Sequence, residues 1–129
     1  MDLLTLAKNV AERAAAESVK HKVPVAVCVI DIHGNLVLQH RMTGAPVFSL
    51  ELSERKAYTS ALVGVRTADL VPQIQPGQPL FPLLAVAGGR YSAMGGGVPL
   101  MSEGKLVGGV GVSGGTTEQD IAIVEAALG

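Results

Sequence analysis

The chain has 129 residues, of which 48% are apolar and 16% charged, with a net charge of -1. That composition excludes a disordered chain. It also argues against a nucleic-acid binder, since there is no basic stripe and the aromatic fraction is 3% with no Trp.

Leu3, Leu6, Ala7, Val10, Ala14 and Val19 recur at three- and four-residue spacing, with Lys8, Glu12, Arg13 and Glu17 largely on the other side. This predicts an amphipathic helix of roughly five turns. Pro24 marks its end, because the residue before a proline avoids helical angles, and His21 falls in or just past the last turn. The charges interrupt any apolar leader, and no run reaches the ~18 apolar residues that span a membrane. Neither a secretory signal nor a membrane segment is expected. The one cysteine, Cys28, cannot form an internal disulfide, which points to a cytoplasmic setting.

Val23 to Ile30 is a β-branched apolar run, Asp31 to Asn35 carries turn chemistry, and Leu36 to Arg41 returns, which reads as a hairpin. With Asp31 opposite Leu36, residues Val25, Val27 and Val29 share a face with Leu36, Leu38 and His40. Ala26, Cys28 and Ile30 then share the other with Val37, Gln39 and Arg41. Both faces of the first strand are apolar, so one is expected under helices and the other under a ligand or a second subunit.

Ser49 to Val65 is a second helix. Val71 to Pro82 holds four of the seven prolines and cannot be regular over its length. Arg90 to Met94, Val98 to Met101 and Leu106 to Val112 complete the strands, with Glu103-Gly104 turning between the last two. Thr117 to Leu128 is the final helix. Adjacent strands joined by short turns predict an α+β fold, one domain over 1–129, with a five-stranded antiparallel sheet and flanking helices. The many small residues leave apolar faces for a partner to cover, so a homo-oligomer is expected.

The last third of the chain concentrates glycine. Gly95-Gly96-Gly97 precedes one short apolar run, and Gly114-Gly115 opens into a helix whose Thr116 and Gln119 have the form of a capping box. A glycine turn before a capped helix gathers free N–H groups that suit an anion or the polar edge of a cofactor. The same glycines equally serve tight turns and close strand packing. Gly95 to Gly97 is followed by no Gly-Lys-Ser/Thr, and the G-x-G-x-x-G spelled by Gly109 to Gly114 begins inside a strand, so neither is a nucleotide motif.

His21, His33 and His40 have no metal-pair spacing. His33 reads as a turn residue, and His40, at a strand end, as a half-buried partner for a backbone carbonyl. His21 reads either as a favourable charge at a helix C-terminus or as an axial ligand. Cys28 reads as a small buried hydrophobe. Lys56 is solvated unless it is buried beside a pocket, where it would bind a carboxylate or act as a tuned amine.

The ordered set Val29-Ile30-Asp31-Ile32-His33-Gly34-Asn35-Leu36, His40-Arg41-Met42, Lys56-Ala57, Gly95-Gly96-Gly97-Val98-Pro99-Leu100, and Val107 to Gly115 ending in Glu118-Gln119-Asp120 resembles the GlcG/HbpS family, also described as the PduO C-terminal domain family. Gln75-Pro76-Gly77-Gln78-Pro79-Leu80 resembles its propanediol- and glycerol-utilisation branch. The resemblance implies a profilin-like domain that assembles into oligomers. It also implies a haem- or tetrapyrrole-binding accessory role in a B12-dependent diol or glycerol pathway, with a corrinoid as a related ligand. The adenosyltransferase domain of longer PduO proteins has no counterpart here, so that activity is not expected.

Haem needs an iron ligand, an apolar slot and partners for its propionates. His21 is the first choice of ligand, ahead of Cys28 and Met94. Arg41, Lys56 and the N–H groups at Gly114 and Gly115 are candidate propionate partners, with Gly95, Gly96 and Gly97 lining the same pocket. Two other functions remain open: a small isomerase or hydrolase with a glycine-lined carboxylate pocket, and a structural oligomer docking on a pathway enzyme.

Overall fold

A computed structural model of the protein describes residues 1–129. Helix α1 (Leu3–His21) starts at Asp2, whose carboxylate accepts the Thr5 N–H at 2.9 Å. It stops where Lys22 turns left-handed at φ 57°, and the N–H groups of Lys22 and Val23 close back onto the carbonyls of Val19 and Ser18.

Strands β1 (Ala26–Asp31) and β2 (Leu36–Arg41) pair antiparallel in the expected register, from Ala26 opposite Arg41 to Val29 opposite Leu38. An irregularity then sets Ile30 opposite Leu36, one residue off the expected pairing. Strands β3 (Gly97–Ser102) and β4 (Lys105–Ser113) form a second hairpin, turned through Glu103 and Gly104 at φ 52° and 78°. Two successive left-handed residues give the turn whose twist matches the strands it joins. The sheet runs β2-β1-β4-β3, antiparallel throughout.

The sheet has four strands and not the expected five. Arg90 to Met94 is not a strand: Arg90 has helical angles, and the segment packs on helix α2 (Ser49–Val63) outside the sheet. The Arg90 guanidinium sits 3.9 Å over the Tyr58 ring, and the Tyr91 ring is 5.2 Å from Tyr58. The Ser92 N–H donates to Thr59 Oγ1 at 2.8 Å. A backbone donor satisfied by a helix side chain has no need of a sheet partner. Strand-like composition and the preceding turn do not distinguish the two outcomes.

Helices α1 and α4 (Thr117–Leu128) cover one sheet face, where Ala7, Val10, Ala14, Val25, Val27, Val29, Val110, Val112, Ile123 and Val124 form the larger core. Helix α2 covers the other, where Cys28 and Ile30 meet Ala57, Tyr58 and Ala61. Both faces of β1 are therefore closed by helices of the same chain, and the ligand or second subunit expected on one face is displaced by α2.

The glycines of β4 explain how close α2 lies. A Cβ on Gly109 would meet the Ala57 carbonyl oxygen and lie 2.5 Å from Ala61 N. On Gly111 it would meet the Ser53 carbonyl oxygen and lie 2.7 Å from Ala57 N. Bare backbone on the strand is the surface on which the helix rests.

Between α2 and β3 the chain makes a short helix, α3 (Thr67–Leu70), and 3-10 turns broken at Ala87 and Gly88, which are left-handed. No residue from 71 to 91 is buried. No helix is long and apolar enough to cross a membrane.

Candidate functional site

One end of the sheet collects most of the chemically interesting residues. Ala26, at the start of β1, lies opposite Arg41 on one side and Ser113 on the other, and Gly97 at the start of β3 lies opposite Gly111. The topology therefore brings His21, Arg41, Gly95 to Gly97, and Gly114 and Gly115 to the same end. His33, in the β1–β2 turn, is at the opposite end.

Beneath this end lies a buried ion pair. Lys56 reaches across from α2 and donates to the Val112 carbonyl at 2.9 Å and to Asp120 Oδ2 at 3.0 Å. Both residues are buried, at 1% and 3% exposure. Burial pushes the Lys56 ammonium down from its ordinary value, while the adjacent Asp120 opposes that shift. The other Asp120 oxygen accepts the Gly115 N–H at 2.9 Å.

The capping box also forms: Gln119 Oε1 accepts the Thr116 N–H at 2.9 Å, and Thr116 Oγ1 accepts the Gln119 N–H at 3.2 Å. The donors at the start of α4 are thus directed onto the chain's own Asp120 and Gln119. Asp120 was not among the residues expected to matter. The available signal was an acid in the first turn of a helix behind a glycine turn, where the helix dipole favours negative charge.

The glycine clusters are packed against protein. A Cβ on Gly95 would lie 2.6 Å from Ile121, one on Gly96 2.7 Å from the Val112 carbonyl and 2.9 Å from Lys56 Nζ, and one on Gly97 2.5 Å from the Lys56 carbonyl. Gly115 is pressed onto Gln119 and Val23, and Gly114 onto Pro24 and Val25. Close packing, not a lined pocket, accounts for these glycines. Lys56, already bound to Asp120, has no solvent-facing ammonium to offer a ligand.

The open cavities lie elsewhere. One of about 380 Å³ separates α1 from β2 and includes Lys8, Glu12 and His40. Another of about 260 Å³ lies between α1, β3 and the end of α4, beside Arg13. There is no group of three His, Cys, Asp or Glu side chains placed to hold a metal ion.

His21 and Arg41 are exposed, and Met94 is 47% exposed. A Cβ on Gly44 would lie 3.5 Å from Pro24, so the loop after β2 folds against the segment that follows His21. That loop carries Val47 and Phe48, 82% and 58% exposed.

Cys28 is fully buried, and burial pushes its thiol from 9.0 up to about 12. The native protein is expected to resist alkylation by iodoacetamide at pH 8.5, whereas the protein in denaturant reacts within minutes. Equal labelling rates would contradict the burial. The raised value means that Cys28 costs no stability below pH 9 and removes some as pH climbs from 9 towards 12, where only the unfolded thiol ionises readily.

The fold is an α+β sandwich, a four-stranded antiparallel sheet between helical layers. The chain belongs to the HbpS-like family, described as haem degrading protein HbpS-like, whose model matches residues 3–129. It is 40% identical over 125 residues to an uncharacterized 15.0 kDa protein of the dhaT-dhaS intergenic region of Citrobacter freundii, covering 97% of this chain and 88% of that protein. It is 38% identical over 117 residues to the corrinoid adenosyltransferase PduO of Salmonella typhimurium, covering 90% of this chain and 35% of that protein. The chain thus spans about a third of that relative's length. A crystal structure of a PduOC–heme complex matches with a TM-score of 0.92 and 34% identity, covering 99% of this chain and 92% of that one.

Proposed function

We propose that this protein binds haem at the His21 end of the sheet and serves as an accessory protein in corrinoid-dependent diol or glycerol use, without adenosyltransferase activity of its own. The observation that carries the binding site is the exposed His21 imidazole at the C-terminus of α1, with the loop that carries the exposed Val47 and Phe48 approaching Pro24 through Gly44. The chemistry of the set fits the group: an imidazole for the iron, the exposed apolar Val47 and Phe48 for the macrocycle, and the exposed cations Lys22 and Arg41 for the propionates. Bound haem would bring redox-active iron, and this chain's part is to ligate, orient and shield it. The pathway assignment rests on the PduO and dhaT-dhaS relatives.

Lys56, Gly95 to Gly97, Gly114 and Gly115 have a supporting place in this reading. Gly114 and Gly115 pack on Pro24, Val25 and Val23, just after α1, while Lys56 and Gly95 to Gly97 tie α2 and α4 to the end of β4.

Titration of the ligand-free protein with ferric haem, followed in the visible range, tests the reading. A shifted Soret band saturating at one haem per subunit is expected. His21→Ala should lose the histidine-ligated spectrum and weaken binding by about tenfold or more, since one axial bond is removed. His33→Ala, at the far end of the sheet, should leave both unchanged. Free-haem absorbance throughout, or loss on His40→Ala with His21→Ala intact, would overturn the assignment.

A further inference from the structure

Leu6, Val10 and Arg13 follow one another at four- and three-residue spacing and so share one face of α1. Val98 and Leu100, two residues apart on β3, point to the sheet face that this helix covers. Leu128, in the last turn of α4, closes the third side of the 260 Å³ cavity between these elements. Val10 and Leu100 are buried and form its floor, while Leu6, Val98 and Leu128 are half-buried walls. Arg13 is exposed at the rim and is the only polar side chain of the lining.

The guanidinium is fixed but unneutralised. Its Nε donates to the Ala127 carbonyl at 2.6 Å, which holds it at the end of α4. No carboxylate of the chain pairs with it, and its terminal nitrogens make no other hydrogen bond within the chain.

We propose that this cavity binds a short-chain monocarboxylate, with the aliphatic tail on Val10 and Leu100 and the carboxylate on Arg13. A guanidinium presents a planar fork of donors that matches a carboxylate, and the fork is already oriented by the bond to Ala127. One cation answers one negative charge, whereas a phosphate ester would bring a second charge with nothing to meet it. The apolar lining excludes a polar tail for the same reason, since its hydroxyl groups would lose water without gaining partners. The volume lies just below the ~300–1,000 Å³ of sites for drug-sized ligands, which limits the tail to a few carbons. Arg13 also stands two turns of helix before His21, about 12 Å along the axis at the usual rise, so the cavity is distinct from the haem site proposed above.

Titration of the ligand-free protein with hexanoate, followed by NMR chemical shifts, tests the proposal. Saturating shifts centred on Leu6, Val98 and Leu128 are expected. From butyrate to hexanoate each added methylene should tighten binding by about fourfold, the value of one buried methylene. Hexanol should bind about tenfold or more weakly than hexanoate, and hexylamine not at all, because the first lacks the charge and the second inverts it. Arg13→Gln should remove the preference for hexanoate over hexanol while leaving hexanol binding in place, which also reports that the cavity survives. Val98→Phe, which fills the cavity and keeps the guanidinium, should abolish binding of both, and it keeps the test decisive if Arg13→Gln fails to fold. Hexanoate binding no tighter than hexanol or hexylamine overturns the proposal. So do unchanged hexanoate binding in Val98→Phe and the absence of saturable shifts, the result expected if a protein partner covers the cleft. Haem plays no part in these measurements, so their outcome is independent of the haem assignment.

Discussion

Replacing Lys56 with Met is expected to destabilise the protein by about 3–5 kcal/mol, the range for removing one partner of a buried ion pair. The loss comes mostly from what is left behind. Asp120, 3% exposed, would retain only the Gly115 N–H, and the Val112 carbonyl would lose its ammonium donor. A carboxylate stranded in that position either protonates or drags water into the junction of α2, β4 and α4. The double variant Lys56→Met with Asp120→Leu should be more stable than Lys56→Met alone, because no charge then remains buried. Urea unfolding measures this as a fall in midpoint at constant slope. A loss under about 1 kcal/mol for Lys56→Met would show that the pair contributes no more than a surface salt bridge.

Gly111→Val should be as damaging by a different route. The new Cβ would press into the Ser53 carbonyl and lie 2.7 Å from Ala57 N, both backbone atoms of α2 that cannot turn aside. Helix α2 must lift from the sheet, opening the packing of Cys28 and Ile30 against Ala57 and Ala61. A cost at or above the upper end of the ~1–3 kcal/mol typical of overpacking is expected. Gly77→Ala is the informative control. It faces open space but holds a left-handed φ of 87°, so it should cost about 1 kcal/mol of backbone strain. Thermal melts of the two variants separate lack of space from lack of conformational freedom. Equal shifts would mean that α2 does not rest on β4 as closely as described.

The stretches with strong local rules were legible in the residues alone. The first and last helices, the capping box at Thr116 and Gln119, the Glu103-Gly104 turn and most of the β1–β2 register follow from periodicity, caps and turn chemistry, all of which act within a few residues. Arg90 to Met94 was misplaced because a short segment of this composition reads the same whether a strand or a helix side chain satisfies its backbone. Its true neighbour, Thr59, is 33 residues away. The role of the glycines was left undecided for a related reason. A residue without a side chain carries no mark of whether a ligand or another backbone fills the space beside it.

What the sequence by itself determined, then, is the three long helices and the four strands of the two hairpins, and the family to which their order belongs. Only the tertiary structure decided that Gly109 and Gly111 serve the docking of α2, that β2 and β3 are the edges of the sheet, and that Lys56 is a buried cation. Lys56 and its partner Asp120 stand 64 residues apart. No local pattern encodes that contact, because it exists only once α2 and α4 meet β4 from opposite faces. Burial then turns an ordinary lysine and an ordinary aspartate into a pair whose separation the fold does not tolerate.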